Sequence, residues 1–247
     1  MVSPHYCETL YKMLNGSTYD FSVCEGCRFN DGESPKPRVA KKSSFVLSNL
    51  DYFKAQIQRS TGFAVWNKLY RRSIFEKVRF ASGKIHEDVI WSGDLVRNLH
   101  NGVTYTDEQN YLYRKQRTGS ITQSTKCSPD RIFAGEYLIE SAKMVCPELI
   151  NECLCYAVEY PWMFVDSVYT KRTFAENREF LDTIQSFLKK YLVQYKQIEA
   201  FSSIQRYRMG LFSTSQKLYC FNAYARLARV YLYNKMGKDP YIDGHGI

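Results

Sequence analysis

The chain has 247 residues, of which 45% are hydrophobic and 24% are charged. This composition is ordinary for a globular protein with a buried core, in one large domain or two small ones. The formal net charge of +9, from 34 Lys and Arg against 25 Asp and Glu, favours anionic partners. The sequence has neither a secretory signal at its start nor an apolar run of about 18 residues, so it predicts a cytoplasmic protein.

Eight cysteines are scattered along the chain, and without a secretory signal this favours reduced thiols over disulfides. Cys24 and Cys27 form a CxxC pair, but a zinc site of that type needs a second close pair of ligands. Cys153 and Cys155 lie far along the chain and are separated by one residue. We therefore expect Cys24 and Cys27 to be small apolar residues at a strand end, and we predict no metal ligands.

The first half of the chain mixes helical and strand patterns. Apolar residues at helical spacing predict helices over 4–14, 47–59, 72–77 and 88–100. Runs of aromatic and β-branched residues predict a strand over 20–29 and short strands over 103–106 and 111–114, with a loop over 30–42. Together these patterns indicate an α/β fold.

From residue 129 to residue 235 the pattern changes to long amphipathic helices. The last, over 215–235, mixes apolar and aromatic residues with Lys217, Arg226, Arg229 and Lys235. Such a helix is typical of peripheral contact with an anionic membrane, and also of a bundle helix with a solvated basic face. We favour the bundle helix and keep the membrane contact as the alternative.

Three motifs follow one another between residues 66 and 121. They are WNKLYR at 66–71, RFASGKIHED at 79–88 and YLYRKQRTGSI at 111–121. Their composition, order and separation resemble those of bacterial family-2 glycosyltransferases of the GT-A type, which build capsule, exopolysaccharide and O-antigen.

The resemblance implies a fold and an activity. Residues 1–125 would be the acceptor-side, C-terminal part of a GT-A domain, and residues 126–247 an α-helical extension. The reaction would be the inverting transfer of a sugar from a nucleotide-diphosphate sugar, with a UDP-sugar expected, to a glycan or lipid-linked acceptor. The site of action would be the cytoplasm, including its membrane face.

Asp88 is the candidate catalytic base. Glycosyl transfer by single displacement needs a carboxylate that takes the proton of the acceptor hydroxyl. The resemblance assigns this role to the Asp of the Glu87–Asp88 pair, with Glu87 supporting the acceptor site. The alternative is a purely structural role, because a carboxylate at a helix start stabilises the helix terminus.

Two further groups are candidate binding residues. Arg114, Arg117 and Ser120 could hold the oxygens of the donor diphosphate, or could belong to a solvated basic strand end. Trp66, Asn67 and Lys68 could contact substrate, since a Trp face is a common platform for a sugar ring. A Trp between apolar neighbours is also often a core residue.

The resemblance also implies a missing part. The nucleotide-binding half of a GT-A domain, with the acidic ligands of its Mg²⁺ or Mn²⁺ ion, has no counterpart in this sequence. We therefore expect a truncated transferase with little or no activity on its own, an open apolar sheet edge and a tendency to self-associate.

Two alternatives remain at this point. The chain could be an inactive remnant that acts as a binding or scaffold partner of a complete transferase. It could also be a basic binder of nucleic acid or of a membrane surface. The sequence lacks an RNP-like aromatic motif, so we predict no nucleic-acid partner.

Overall fold

The computed structural model describes residues 1–38, 41, 44–116 and 128–236. The chain divides into two compact units, Met1–Thr125 with Glu136–Cys153 and Lys126–Gly135 with Leu154–Ile247. The division passes through two helices of the second half of the sequence. The predicted assignment of residues 1–125 to a GT-A half-domain and of 126–247 to a helical extension stays a prediction.

The first unit mixes helices and strands, which confirms the predicted α/β class. Its elements are α1 (Tyr6–Leu14), β1 (Phe21–Asn30), β2 (Ser44–Leu47), α2 (Asn49–Ile57), β3 (Lys68–Tyr70), α3 (Ile74–Lys77), α4 (Glu87–Asn98) and β4 (Val103–Lys115). The later part of α5 (Asp130–Val145) and a 3-10 turn at Pro147–Leu149 also belong to this unit.

The four strands form one mixed sheet in the order β2–β4–β1–β3. The central strands β1 and β4 are parallel, whereas β3 pairs with β1 and β2 pairs with β4 in the antiparallel sense. Val23 of β1 lies opposite both Tyr105 of β4 and Lys68 of β3. Directly opposed residues point to the same face of a sheet. The Lys68 side chain therefore lies on the face that carries the apolar core.

One hydrophobic cluster covers that face of the sheet. Apolar residues of α4 recur at helical spacing and pack onto apolar residues of β1 and β4, as expected for an amphipathic helix on a half-buried sheet. The buried members of the cluster are Phe21, Val23, Tyr52, Ile74, Val78, Trp91, Leu95, Leu99, Val103 and Tyr105. The packing therefore fixes the position of α4, whose first turn carries Asp88.

The secondary structure departs from the sequence prediction at four main places, the first of which is strand β2, for which no strand was predicted. The predicted strands over 103–106 and 111–114 form one strand, β4, whose register with β1 shifts between Cys24 and Gly26. The predicted helix over 47–59 starts only at Asn49, because residues up to Leu47 belong to β2. Strand β3, inside the WNKLYR motif, was not predicted; three residues are too few to show a period.

Strands β2 and β3 form the two edges of the sheet among the described strands. On β2, Phe45 and Val46 are 45% and 50% exposed. An exposed apolar edge strand is able to pair with another chain. The predicted self-association of the protein has this structural basis and stays a prediction.

The second unit is helical, as the periodicity predicts. Besides the first residues of α5 it contains most of α6 (Ile150–Lys171), then α7 (Arg178–Lys190), α8 (Leu192–Gln197), α9 (Ser203–Thr214) and α10 (Gln216–Lys235). Asp166 of α6 accepts hydrogen bonds from Arg208 of α9 and from Tyr219 and Arg226 of α10. These bonds tie three helices of the unit together.

Two further sequence predictions concern membrane-spanning segments and the cysteines. No helix in the described part of the chain is long and apolar enough to cross a membrane. No disulfide joins the cysteines of the described residues, and Cys24 and Cys27 are buried apolar residues inside β1 rather than at its end. Burial raises the pKa of the Cys24 thiol to about 11, so this thiol is neutral and unreactive at physiological pH.

Candidate active site

Asp88 is the second residue of α4. The residue before the helix, His86, has a left-handed backbone with φ of 70°, which His adopts more readily than most residues. Asp88 Oδ1 accepts a hydrogen bond of 2.9 Å from the backbone N–H of Val89. The carboxylate therefore stabilises the helix start, and the structural role considered for it is compatible with a catalytic one.

An aromatic cluster anchors the turn that carries Asp88. Trp91, one helical turn further on, stacks on Phe80 with ring centroids 4.1 Å apart and lies edge-on to Tyr70 at 5.8 Å. Its indole N–H donates to the Tyr70 hydroxyl at 3.3 Å. Residues three apart share a helix face, so the anchored Trp91 also fixes the direction in which Asp88 projects.

Burial makes Asp88 a stronger base than an exposed aspartate. Its pKa is raised above the ordinary value, first by burial and further by the neighbouring Glu87 carboxylate, while the Val89 N–H, His86 and Lys68 act in the opposite direction. A raised pKa makes a carboxylate a better acceptor for the proton of a hydroxyl group. Glu87 is the first residue of α4 and stands beside it.

Lys68 is the buried cation of the site. Its side chain is 7% exposed, and its ammonium donates to the backbone carbonyl of Ala64 and, at 3.1 Å, to Asn67 Oδ1. Burial lowers its pKa to about 7, and Asp88 and Cys24 partly oppose that shift. Lys68 and Asp88 thus stabilise each other's charged forms at the junction of β3 and α4.

Asn67 serves the sheet. The side-chain amide of Asn67 donates to the backbone carbonyl of Cys24 at 2.6 Å, and the backbone carbonyl of Asn67 accepts from the Cys24 N–H at 3.0 Å. Asn67 Oδ1 also accepts from Lys68, so both the oxygen and the nitrogen of this buried amide form hydrogen bonds within the protein. Asn67 was predicted to contact substrate; the structure places it in this internal network.

Two tyrosines complete the surroundings of the Asp88–Lys68 pair. Tyr6 donates from its hydroxyl to the backbone carbonyl of Trp66 at 2.7 Å, and burial raises its pKa to about 12. Burial also raises the pKa of Tyr70, with smaller electrostatic contributions from Tyr6 and Asp88. Both phenols are therefore neutral at physiological pH, and Lys68 and Asp88 form the acid–base pair of this cluster.

Trp66 lies across the sheet next to this cluster. Its ring stacks on Tyr111, with centroids 4.1 Å apart, and on Tyr113, at 5.1 Å. A side chain at Gly26 would come within 3.1 Å of the indole, so the glycine allows the ring to lie flat on β1. Trp66 is partly exposed. It is thus part of an aromatic stack whose accessible portion could still receive a sugar ring.

The predicted diphosphate-binding residues are at or beyond the end of β4. Arg114 is exposed and forms an ion pair of 3.5 Å with Asp31 rather than with Asp88. Arg117 and Ser120 lie outside the described residues. The structure therefore brings together Asp88, Glu87, Lys68, Asn67 and Trp66 of the predicted site residues.

Tyr6, Tyr70 and Trp91 support the Asp88–Lys68 pair but were not predicted from the sequence. Trp91 could have been found, because its distance of three residues from Asp88 on a predicted helix puts both on one face. Tyr70 is in the WNKLYR motif, but its neighbourhood depends on the pairing of β3 with β1. Tyr6 joins the site through α1, about 60 residues earlier in sequence than its Trp66 partner.

The buried ammonium of Lys68 predicts a pH-dependent stability. The folded-state pKa of about 7 is below the ordinary lysine value of 10.5, so the unfolded chain binds more protons between these values. Stability therefore rises with pH across this window, and the full cost of burying the charge applies below pH 7. We expect the free energy of unfolding of Lys68→Met, relative to that of wild type, to fall steadily from about pH 7 towards about pH 10, because only the wild type gains stability as Lys68 loses its proton. Urea denaturation at a series of pH values measures it; a constant difference would contradict a buried, titrating Lys68.

Comparison with known proteins identifies a relative that matches part of the chain. No model of a known protein family matches the chain. The chain is 31% identical over 130 residues to the glycosyltransferase GlyA of Streptococcus pneumoniae serotype 4. The matched stretch covers 49% of this chain and 18% of that protein, so the chain spans less than a fifth of the relative's length.

Proposed function

We propose that this chain belongs to a glycosyltransferase and forms its acceptor side, with Asp88 as the catalytic base. The observation that supports the proposal is the half-buried Asp88 carboxylate, held at the start of α4 beside the buried Lys68, which lies two residues after the stacked Trp66 in the chain. The similarity to a protein named a glycosyltransferase supports sugar transfer in general. We further propose a role in the synthesis of surface polysaccharide, and an inverting course for the reaction.

In this proposal the acceptor hydroxyl attacks the anomeric carbon of the donor sugar. Asp88 takes the hydroxyl proton as the new C–O bond forms, and the bond between the anomeric carbon and the nucleoside diphosphate breaks. Lys68 keeps Asp88 ionised before the reaction and stabilises its local charge. Trp66 offers an apolar ring surface on which the acceptor sugar stacks. Glu87, in the same helical turn as Asp88, contacts the hydroxyl groups of that sugar.

The donor side of the reaction rests on residues outside the described part. We propose that Arg117 and Ser120, with Arg114 at the end of β4, bind the diphosphate of a UDP-sugar. A divalent cation of the Mg²⁺ or Mn²⁺ kind would stabilise the charge on that diphosphate. In the described residues no cluster of three His, Cys, Asp or Glu side chains could hold such an ion.

A domain graft tests the proposal. Residues 1–125 of this chain replace the segment of the pneumococcal relative with which they align, and sugar transfer is measured with the donor and acceptor that the relative itself uses. We expect a graft that melts cooperatively to transfer sugar above the level of a graft carrying Asp88→Asn. A folded graft without any transfer would favour an inactive binding partner.

A further inference from the structure

The outer face of α10 carries an apolar stripe that no described residue covers. Phe221 is 77% exposed, Met236 63%, Leu232 55% and Leu218 54%. With Ala225 and Ala228, also exposed, these residues recur every three or four positions along the helix. The stripe runs for about 27 Å on one side of α10.

The inner face of the same helix is firmly held. Tyr219 and Ala223 are fully buried, and the Tyr219 hydroxyl and the Arg226 guanidinium both donate to Asp166 of α6. The Tyr219 ring packs edge-on against Trp162 and Phe212. These contacts fix the rotation of α10, so the exposure of the stripe is a built feature of the second unit.

Cations border the stripe on both sides. At about 100° per residue, Lys217 and Lys235 lie about 60° to one side of its centre and Arg229 about 60° to the other. All three are exposed, and α10 has no acidic residue among its 20. Arg226, the remaining cation of the helix, points inwards to Asp166.

The geometry points to an anionic lipid bilayer as the partner of this face, and we propose that α10 lies in the membrane interface. A straight apolar stripe with cations on both sides matches a flat surface that is apolar below and negatively charged above. The long Lys and Arg side chains can extend sideways to phosphate groups while Phe221 and Leu232 enter the acyl region.

Charge argues against a second copy of the chain on the same stripe. Two α10 helices packed face to face would bring cations against cations, with no acidic residue of α10 to compensate. The stripe is also straight and lies along the whole outer side of the helix, a shape that fits a planar surface. An anionic planar surface satisfies both the charge and the shape.

The test is flotation of the full chain with lipid vesicles. We expect binding to vesicles with roughly one third phosphatidylglycerol, little binding to pure phosphatidylcholine, and release as salt rises from about 0.1 M to about 1 M. The double variant Phe221→Glu, Leu232→Glu should lower binding to the anionic vesicles by about tenfold.

The control adds the same two charges to another part of the second unit. Met163 and Val193 are 69% and 67% exposed, and Met163→Glu, Val193→Glu should keep the vesicle binding. Circular dichroism confirms that both variants are folded. Absence of binding to anionic vesicles would overturn the proposal, as would equal losses in both variants. A concentration-dependent dimer that only the α10 variant abolishes would assign the stripe to a second copy instead.

Discussion

Asp88→Asn is expected to lower sugar transfer by about 100-fold or more, because removal of a general base commonly costs a factor of 10² to 10⁴. The asparagine keeps the shape of the side chain and a carbonyl oxygen that can accept the Val89 N–H, so α4 should remain in place. The graft described above supplies the assay. The change should appear mainly in kcat, since the proton is transferred only in the transition state.

Asp51→Asn is the matched control for this variant. Asp51 is also in the first turn of a helix, α2, but it is exposed and its contacts are with Ser48. Its substitution should leave transfer within about twofold, because exposed helix-terminal charges contribute little beyond local stability. Equal activity of the Asp88→Asn graft and its parent would remove Asp88 from the mechanism.

Gly135→Ala is expected to destabilise the second unit by about 2–3 kcal/mol. Gly135 of α5 is packed against α6 so closely that an added Cβ would lie 2.4 Å from the Cβ and 2.7 Å from the Cα of Ala157. The helices would have to separate, with loss of contacts along their interface. Urea denaturation followed by circular dichroism measures the change.

Gly210→Ala is expected to change the stability of the second unit in the opposite direction. Gly210 lies within α9 and has open space where its Cβ would be, so alanine should stabilise the helix by about 0.5–1 kcal/mol. Ala157→Gly in the Gly135→Ala background should recover part of the loss, because it removes the nearer of the two clashing atoms. Equal effects of alanine at Gly135 and Gly210 would contradict the close approach of α5 and α6.

The sequence predicts the elements of the candidate site better than their neighbours. The start of α4 was predicted within one residue, and with it the position of Asp88 in a first helical turn. The proximity of Lys68 could not be predicted, since it requires the pairing of the three-residue strand β3 with β1. Such contacts depend on sheet register, which periodicity in a short strand does not specify.

The sequence also could not identify the exposed face of α10. Aromatic and apolar residues occur on most sides of this helix, and several of those that appear periodic, such as Leu218 and Phe221, are exposed. Burial is decided by α6 and α9, through the bonds of Tyr219 and Arg226 to Asp166. Tertiary contacts thus select which of several possible stripes is covered.

Sugar binding by the protein itself tests the acceptor-side assignment most directly. Saturation-transfer NMR of the chain with a panel of hexose and N-acetylhexosamine disaccharides should detect contact with at least one of them. The signal should be lost in Trp66→Ala and kept in Tyr207→Ala, whose ring on α9 is 63% exposed. Contact that survives unchanged in a folded Trp66→Ala variant, or a panel without any contact, would contradict the account.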